Sequence, residues 1–192
     1  MMKRADEGVG FLLRYENVAW YEDGAVRILD RRIYPVRVEY VTCRRHEEVA
    51  QAIADMVTQS GGPYLAAAMG MALAGYEARD LPEADLLAHL EQAAYHLSHA
   101  RPTTMAKMIR VTERAMNAAR AALAAGKTGL ELVEALRENA VNQINENYIR
   151  YTAVGKLLAD KIPQNGTIMT QCFAETVIGT MLRECRERGN AV

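Results

Sequence analysis

Cys172 stands where an apolar run meets a helical pattern. Residues 166–188 read GTIMTQCFAETVIGTMLRECRER. Thr167-Ile168-Met169, just after Gly166, has the character of a buried strand, and an amphipathic period starts directly beyond Thr170-Gln171-Cys172. That junction puts the thiol at the carboxyl end of a strand and the start of a helix, where open α/β sheets bind ligands. A helix N-terminus favours the thiolate. The expectation is therefore an activated thiol that can hold or move a proton. The plainer reading is a small buried hydrophobe, the common fate of a free cysteine.

Two further segments suit an anion. Ser60-Gly61-Gly62-Pro63 places small residues ahead of a helix, where free N–H groups and the helix dipole favour phosphate. It has neither the Lys nor the spacing of a P-loop, so a nucleoside triphosphate site is not indicated. A simple interhelical turn would have the same composition. Arg101-Pro102-Thr103 sets a guanidinium in a rigid kink, suited to bidentate phosphate recognition. The alternative is a solvated cation at a helix C-terminus.

His89, His96 and His99 are spaced to share a helix face, but no neighbouring carboxylate completes a zinc pattern such as HExxH. They read as a polar face, and no metal site is expected. Glu138, Asn142, Asn145, Glu146 and Asn147 interrupt the apolar face of a long helix; they are read as solvated, or as a buried polar network. The ten methionines fall mostly on apolar faces as core filler.

The elements that must position these groups follow from pattern. Residues 14–21 and 25–29 flank Glu22-Asp23-Gly24, a hairpin signal, and residues 36–43 (VRVEYVTC) alternate as a third strand. From His46 the period becomes helical, through Val49, Ile53, Met56 and Val57, with Glu47 and Glu48 in the first turn. Helices are expected over about 63–78, 82–100, from Thr103 or Thr104 to Gly126, and from Thr128 to about Lys161 with a break near Gly155. The 63–78 helix is apolar all round and therefore central. The fold class is mainly α with a small N-terminal β element, followed by one β-α unit that starts a Rossmann-like α/β domain. The domain boundaries are 1–162 and 163–192. One strand with one helix cannot make a sheet. The chain is thus expected to be part of a longer protein or to be completed by another chain.

The chain has 192 residues, half of them apolar and a quarter charged, with a formal net charge of −1. That supports a real core and excludes a nucleic-acid footprint. Three cysteines without framework spacing point to a reducing cytoplasm. No apolar run reaches the ~18 residues that would span a bilayer, and the N-terminus lacks a signal-peptide core.

Taken in order along the chain, the motifs resemble the aldose-1-phosphate isomerases typified by methylthioribose-1-phosphate isomerase. Archaeal ribose-1,5-bisphosphate isomerases and the regulatory subunits of translation initiation factor 2B share that fold. Val18-Ala19-Trp20 and Ile28-Leu29-Asp30-Arg31-Arg32 to Pro35 are similar to the family's opening "V-x-W…LDQ-x-x-LP". Glu39-Tyr40, Glu48-Val49 and Ala52-Ile53 match the following strand and helix. Ser60-Gly61-Gly62-Pro63 stands at "RGAP", Ala67-Ala68-Met69-Gly70 at "AA-x-G", Arg101-Pro102-Thr103 at "RPT", and Ile168-Met169-Thr170-Gln171-Cys172 at "I(L/M)T-x-C". The sequence departs where Gln59 and Ser60 replace the arginine of "RGAP". It departs again where Phe173-Ala174-Glu175 follows the cysteine and where Thr104-Met105-Ala106-Lys107 follows "RPT".

The resemblance implies conversion of a phosphorylated pentose, methylthioribose 1-phosphate or a similar sugar, from aldose to ketose, as in methionine salvage. It implies Cys172 as a catalytic acid or base, with Gly61, Gly62 and Arg101 binding substrate. It implies no metal or organic cofactor, no nucleic-acid or membrane partner, and a homo-oligomer. The family's second catalytic residue, an Asp, belongs to a C-terminal Rossmann-like half. This chain alone is therefore expected to be inactive. The alternative is a non-catalytic regulatory or binding module related to the initiation factor 2B subunits.

Overall fold

The computed structural model describes residues 4–172 and 174–192. The chain divides into two compact units, one of residues 18–143 and one joining the N-terminal seventeen residues to residues 144–192.

In the 18–143 unit, β1 (Ala19–Glu22), β2 (Ala25–Leu29) and β3 (Tyr40–Cys43) form an antiparallel sheet in that order. Ala19 faces Ile28, and Leu29 faces Tyr40. Asp23 and Gly24 both take positive φ, as the tight Asp-Gly hairpin requires. The second strand runs as expected, and the first and third are shorter than expected. A helical turn over Tyr15–Val18 (α1) replaces the start of the first. Val36 and Val38 are exposed, so the alternation before Tyr40 buries nothing. The cause lies at Asp30, whose carboxylate accepts the N–H and the Nε–H of Arg32 at 3.0 and 2.9 Å. Its carbonyl also accepts from Ile33 and Tyr34. The chain is thereby turned before it can pair.

Helices α2 (His46–Ala54), α3 (Gly62–Glu77), α4 (Glu83–His99) and α5 (Met105–Ala124) follow, with the 3-10 turn Pro102–Thr104 opening the last. Glu48 caps α2 by accepting the N–H groups of Arg44 and Arg45 at 2.6 and 3.3 Å. α3 is buried without interruption from Leu65 to Gly75, and α2, α4, α5, β1 and β2 all pack on it. It is the central helix that its composition demands. α4 and α5 bury single faces, Leu86, Leu90, Ala93 and Leu97 on one and Met108, Val111, Ala115 and Ala119 on the other.

α6 (Gly129–Ala159) is continuous, without the break expected near Gly155. Gly155 instead admits the backbone of α7 (Glu175–Glu187): a Cβ there would lie 2.8 Å from the Met181 nitrogen. Within the same unit Asn145 Oδ1 accepts from the Tyr15 hydroxyl and the Ala5 N–H at 2.8 and 2.7 Å. Asp6 accepts the Tyr15 N–H at 3.1 Å and pairs with Arg4, which also holds Glu16. Burial would raise the Asp6 carboxyl, but the Arg4 and Tyr15 hydrogen bonds outweigh it and hold it below its usual range. The polar stretch of the long helix thus supplies one buried network member, Asn145.

The expected strand at Thr167-Ile168-Met169 is not formed. Among the described residues, 163–172 contain no strand, and Met169 is 97% exposed. Ile168 packs beside Ala159, Met181 and Cys185. A lone strand has nothing to satisfy its backbone groups, so the segment stays irregular at the surface. A Rossmann-like unit is therefore absent from the described residues.

Candidate functional site

Gly61, Gly62 and Arg101 belong to the 18–143 unit and Cys172 to the other.

Gly62 opens α3 with Pro63 behind it, and no side chain caps the first turn. The two glycines differ. A Cβ on Gly62 would collide with the Thr58 hydroxyl, so packing alone demands glycine there. The Gly62 N–H is already given to the Gln59 carbonyl at 2.9 Å. Gly61 has ordinary helical φ and open space where a Cβ would stand. The fold does not require glycine at 61.

Arg101 is half-buried, in extended conformation ahead of the Pro102–Thr104 turn. Its carbonyl accepts the N–H and hydroxyl of Thr104 at 3.1 and 3.2 Å. Among the described residues its guanidinium makes no hydrogen bond or ion pair. Arg101 follows directly on Ala100, the C-cap of α4, a position that also suits the solvated cation of the structural alternative. Lys107, in the first turn of α5, sits 3.9 Å from the ring centre of Tyr64, in the first turn of α3. The N-termini of α3 and α5 therefore meet at one end of the unit, with Arg101 leading into the second. Helix N-termini and a guanidinium are groups that favour an anion.

Cys172 is exposed and lies ahead of Ala174, the left-handed N-cap of α7. It is not the buried hydrophobe of the plainer reading. Cys43 and Cys185 are buried, and burial, with Glu48 nearby, pushes the Cys43 thiol up to about 11. Among the described residues Cys172 Sγ has no hydrogen-bond partner.

A second constellation was hidden from motif reading. Glu77 Oε2, at the end of α3, lies 2.8 Å from His46 Nδ1 and 3.1 Å from His89 Nε2. His46 Nε2 meets His96 Nδ1 at 3.3 Å, the two rings stacked at 13°. His99 turns away to stack on Tyr95. His89 and His96 thus share a face, as their spacing predicts, and His99 does not. His46 and Glu77 are 31 residues apart in sequence, and only the packing of α2, α3 and α4 joins them.

The fold is a helical layer around one apolar helix with a small antiparallel sheet, and its exposed features are a cysteine and an anion-compatible helix end. Residues 59–191 match the initiation factor 2 subunit family, to which the chain belongs. It is 32% identical over 164 residues to methylthioribose-1-phosphate isomerase of Thermotoga neapolitana, covering 84% of this chain and 45% of the relative. With the Chloroflexus aurantiacus enzyme of that name it shares 34% over 158 residues, 81% of this chain and 44% of the relative. The chain thus spans about half the length of the curated relatives it matches. The crystal structure of translation initiation factor eIF-2B, subunit delta, from A. fulgidus superimposes with a TM-score of 0.74 at 26% identity, over 91% of this chain and 52% of that one. The Pyrococcus horikoshii 5-methylthioribose 1-phosphate isomerase gives the same TM-score at 19% identity, over 91% and 50%, a likeness of fold. Among the described residues, no helix is long and apolar enough to cross a membrane.

Proposed function

We propose that this chain is the amino-terminal part of an aldose-1-phosphate isomerase acting on methylthioribose 1-phosphate or a similar pentose 1-phosphate. The observation that carries the reading is its similarity to methylthioribose-1-phosphate isomerases over more than four fifths of its length. A phosphate on C1 prevents spontaneous ring opening. The enzyme must protonate the ring oxygen and move hydrogen from C2 to C1, which takes two acid/base groups. Cys172 is one. The other comes from a Rossmann-like half or another chain, in keeping with a Cys172 thiol that makes no hydrogen bond among the described residues. In that assembly residues 163–192 begin the Rossmann-like domain, and 167–171 become a strand once neighbours lie beside them. Arg101 and the first turn of α3 at Gly61 and Gly62 hold the phosphate and substrate oxygens.

A regulatory module is the second reading, favoured by the eIF-2B delta likeness and by Gln59 and Ser60 where the isomerases carry an arginine. Joining the chain to the C-terminal half of the Thermotoga neapolitana enzyme separates the two. Turnover of methylthioribose 1-phosphate is expected, abolished by Cys172→Ser with binding retained. Arg101→Ala should weaken binding by about 1.5–3 kcal/mol, the worth of a charge-assisted hydrogen bond. Turnover that survives Cys172→Ser would overturn the catalytic role. Binding without turnover in the folded fusion would decide for the regulatory module.

A further inference from the structure

His46, Glu77, His89 and His96 take no part in the isomerase reading, yet with Glu47 they make up two overlapping groups of metal-ligating side chains among the described residues, His46–Glu77–His89 and His46–Glu47–His96. They come from three elements. His46 is the first residue of α2, Glu77 the last of α3, and His89 and His96 lie two turns apart on α4.

The set has the layered order of a metal centre. His46 Nδ1, Glu77 Oε2 and His89 Nε2 lie within 4.8 Å of one another. Two of their separations are 2.8 and 3.1 Å. In a tetrahedral zinc shell with bonds of about 2.0–2.2 Å, adjacent ligand atoms stand about 3.3–3.5 Å apart, so the groups need move only slightly to receive an ion. Behind them, each ligand is already oriented. Glu77 Oε1 accepts the His46 backbone N–H at 2.5 Å, which turns Oε2 toward the two imidazoles. His46 Nε2 faces His96 Nδ1 at 3.3 Å. A histidine bound through Nδ1 carries its proton on Nε2 and gives it to such a partner. His46 is buried, whereas His89 keeps 24% and Glu77 15% of its side-chain surface, so the cluster is reached from solvent.

We propose that His46, Glu77 and His89 form a binding site for a divalent transition-metal ion of the zinc type, with His96 as the outer partner of His46. Two imidazoles and one carboxylate are a ligand set zinc accepts. The ion takes the place of the hydrogen bonds between the imidazoles and Glu77, and it pins the start of α2 and the end of α3 to α4. The site shares no residue with the isomerase reading, and stands whether or not that reading does.

The test uses the untagged 192-residue chain with the exposed Cys172 alkylated, so that this accessible thiol cannot supply a ligand. Titration with Co²⁺ should give the visible absorption of a low-coordinate site saturating at about one equivalent, and Zn²⁺ should displace it and raise the melting temperature. His89→Ala and Glu77→Gln should each remove both signals. His96→Ala should weaken binding about 10–100-fold, as loss of an outer partner does. His99→Ala should change nothing. The partly exposed His89 makes its variant safe for folding, checked by circular dichroism. Absence of the Co²⁺ spectrum in the parent chain, or its persistence in both His89→Ala and Glu77→Gln, would overturn the proposal.

Discussion

Residues 36–43 and residues 167–172 are both short, apolar stretches ending in a cysteine, VRVEYVTC and TIMTQC. In the first, Tyr40–Cys43 pairs with β2 and Cys43 is 1% exposed. In the second no strand forms among the described residues, Met169 stands 97% exposed, and Cys172 is at the surface. Local sequence is alike in the two; the neighbour is not. A strand is a shared structure, because half of its N–H and C=O groups must be met from outside. Where β2 is available the stretch becomes core. Where no strand is offered it presents its cysteine outward.

The contrast can be broken by substitution. Ile28, fully buried on β2 opposite Val41, should cost about 2–5 kcal/mol of stability as Ile28→Ala. Met169→Ala should stay within about 0.5 kcal/mol. Chemical denaturation of the two variants against the parent measures both, and a comparable loss at Met169 would mean that residues 167–171 are packed after all.

Thiol labelling sharpens the comparison with a smaller effect. With iodoacetamide at neutral pH, Cys172 should react first. Cys43 should lag by two orders of magnitude or so, from its raised pKa of about 11 and from the opening its burial requires. Cys185, packed with Ala159 and Met181, should also lag. Mass spectrometry of partly labelled protein gives the order. Equal rates at Cys172 and Cys185 would remove the case for an accessible nucleophile.

The sequence was most legible where one element decides its own state. The apolar run of α3, the 3.6-residue periods of α4 and α5, and the Asp23-Gly24 turn are local signals, and each element is found where those signals put it. It was least legible where a distant group decides. The turn at Asp30 cancels the alternation before Tyr40. Gly155 proves a contact rather than a break, because its reason is the backbone of α7. At the candidate site, Arg101 and Gly61 could be singled out by type and context. The His46–Glu77–His89 cluster had no sequence signal beyond the spacing of two histidines, since its carboxylate and its buried imidazole arrive from other helices.

The central claim is that Cys172 is half of an acid/base pair whose other half this chain does not bring to it. The direct measurement is an assay of the purified 192-residue chain with methylthioribose 1-phosphate and with ribose 1,5-bisphosphate, following the ketose product. The account predicts no turnover above background from the chain by itself. Turnover in the ordinary enzyme range of about 1–10³ s⁻¹, lost on Cys172→Ser, would contradict it and place the second group within these residues or those of a second copy.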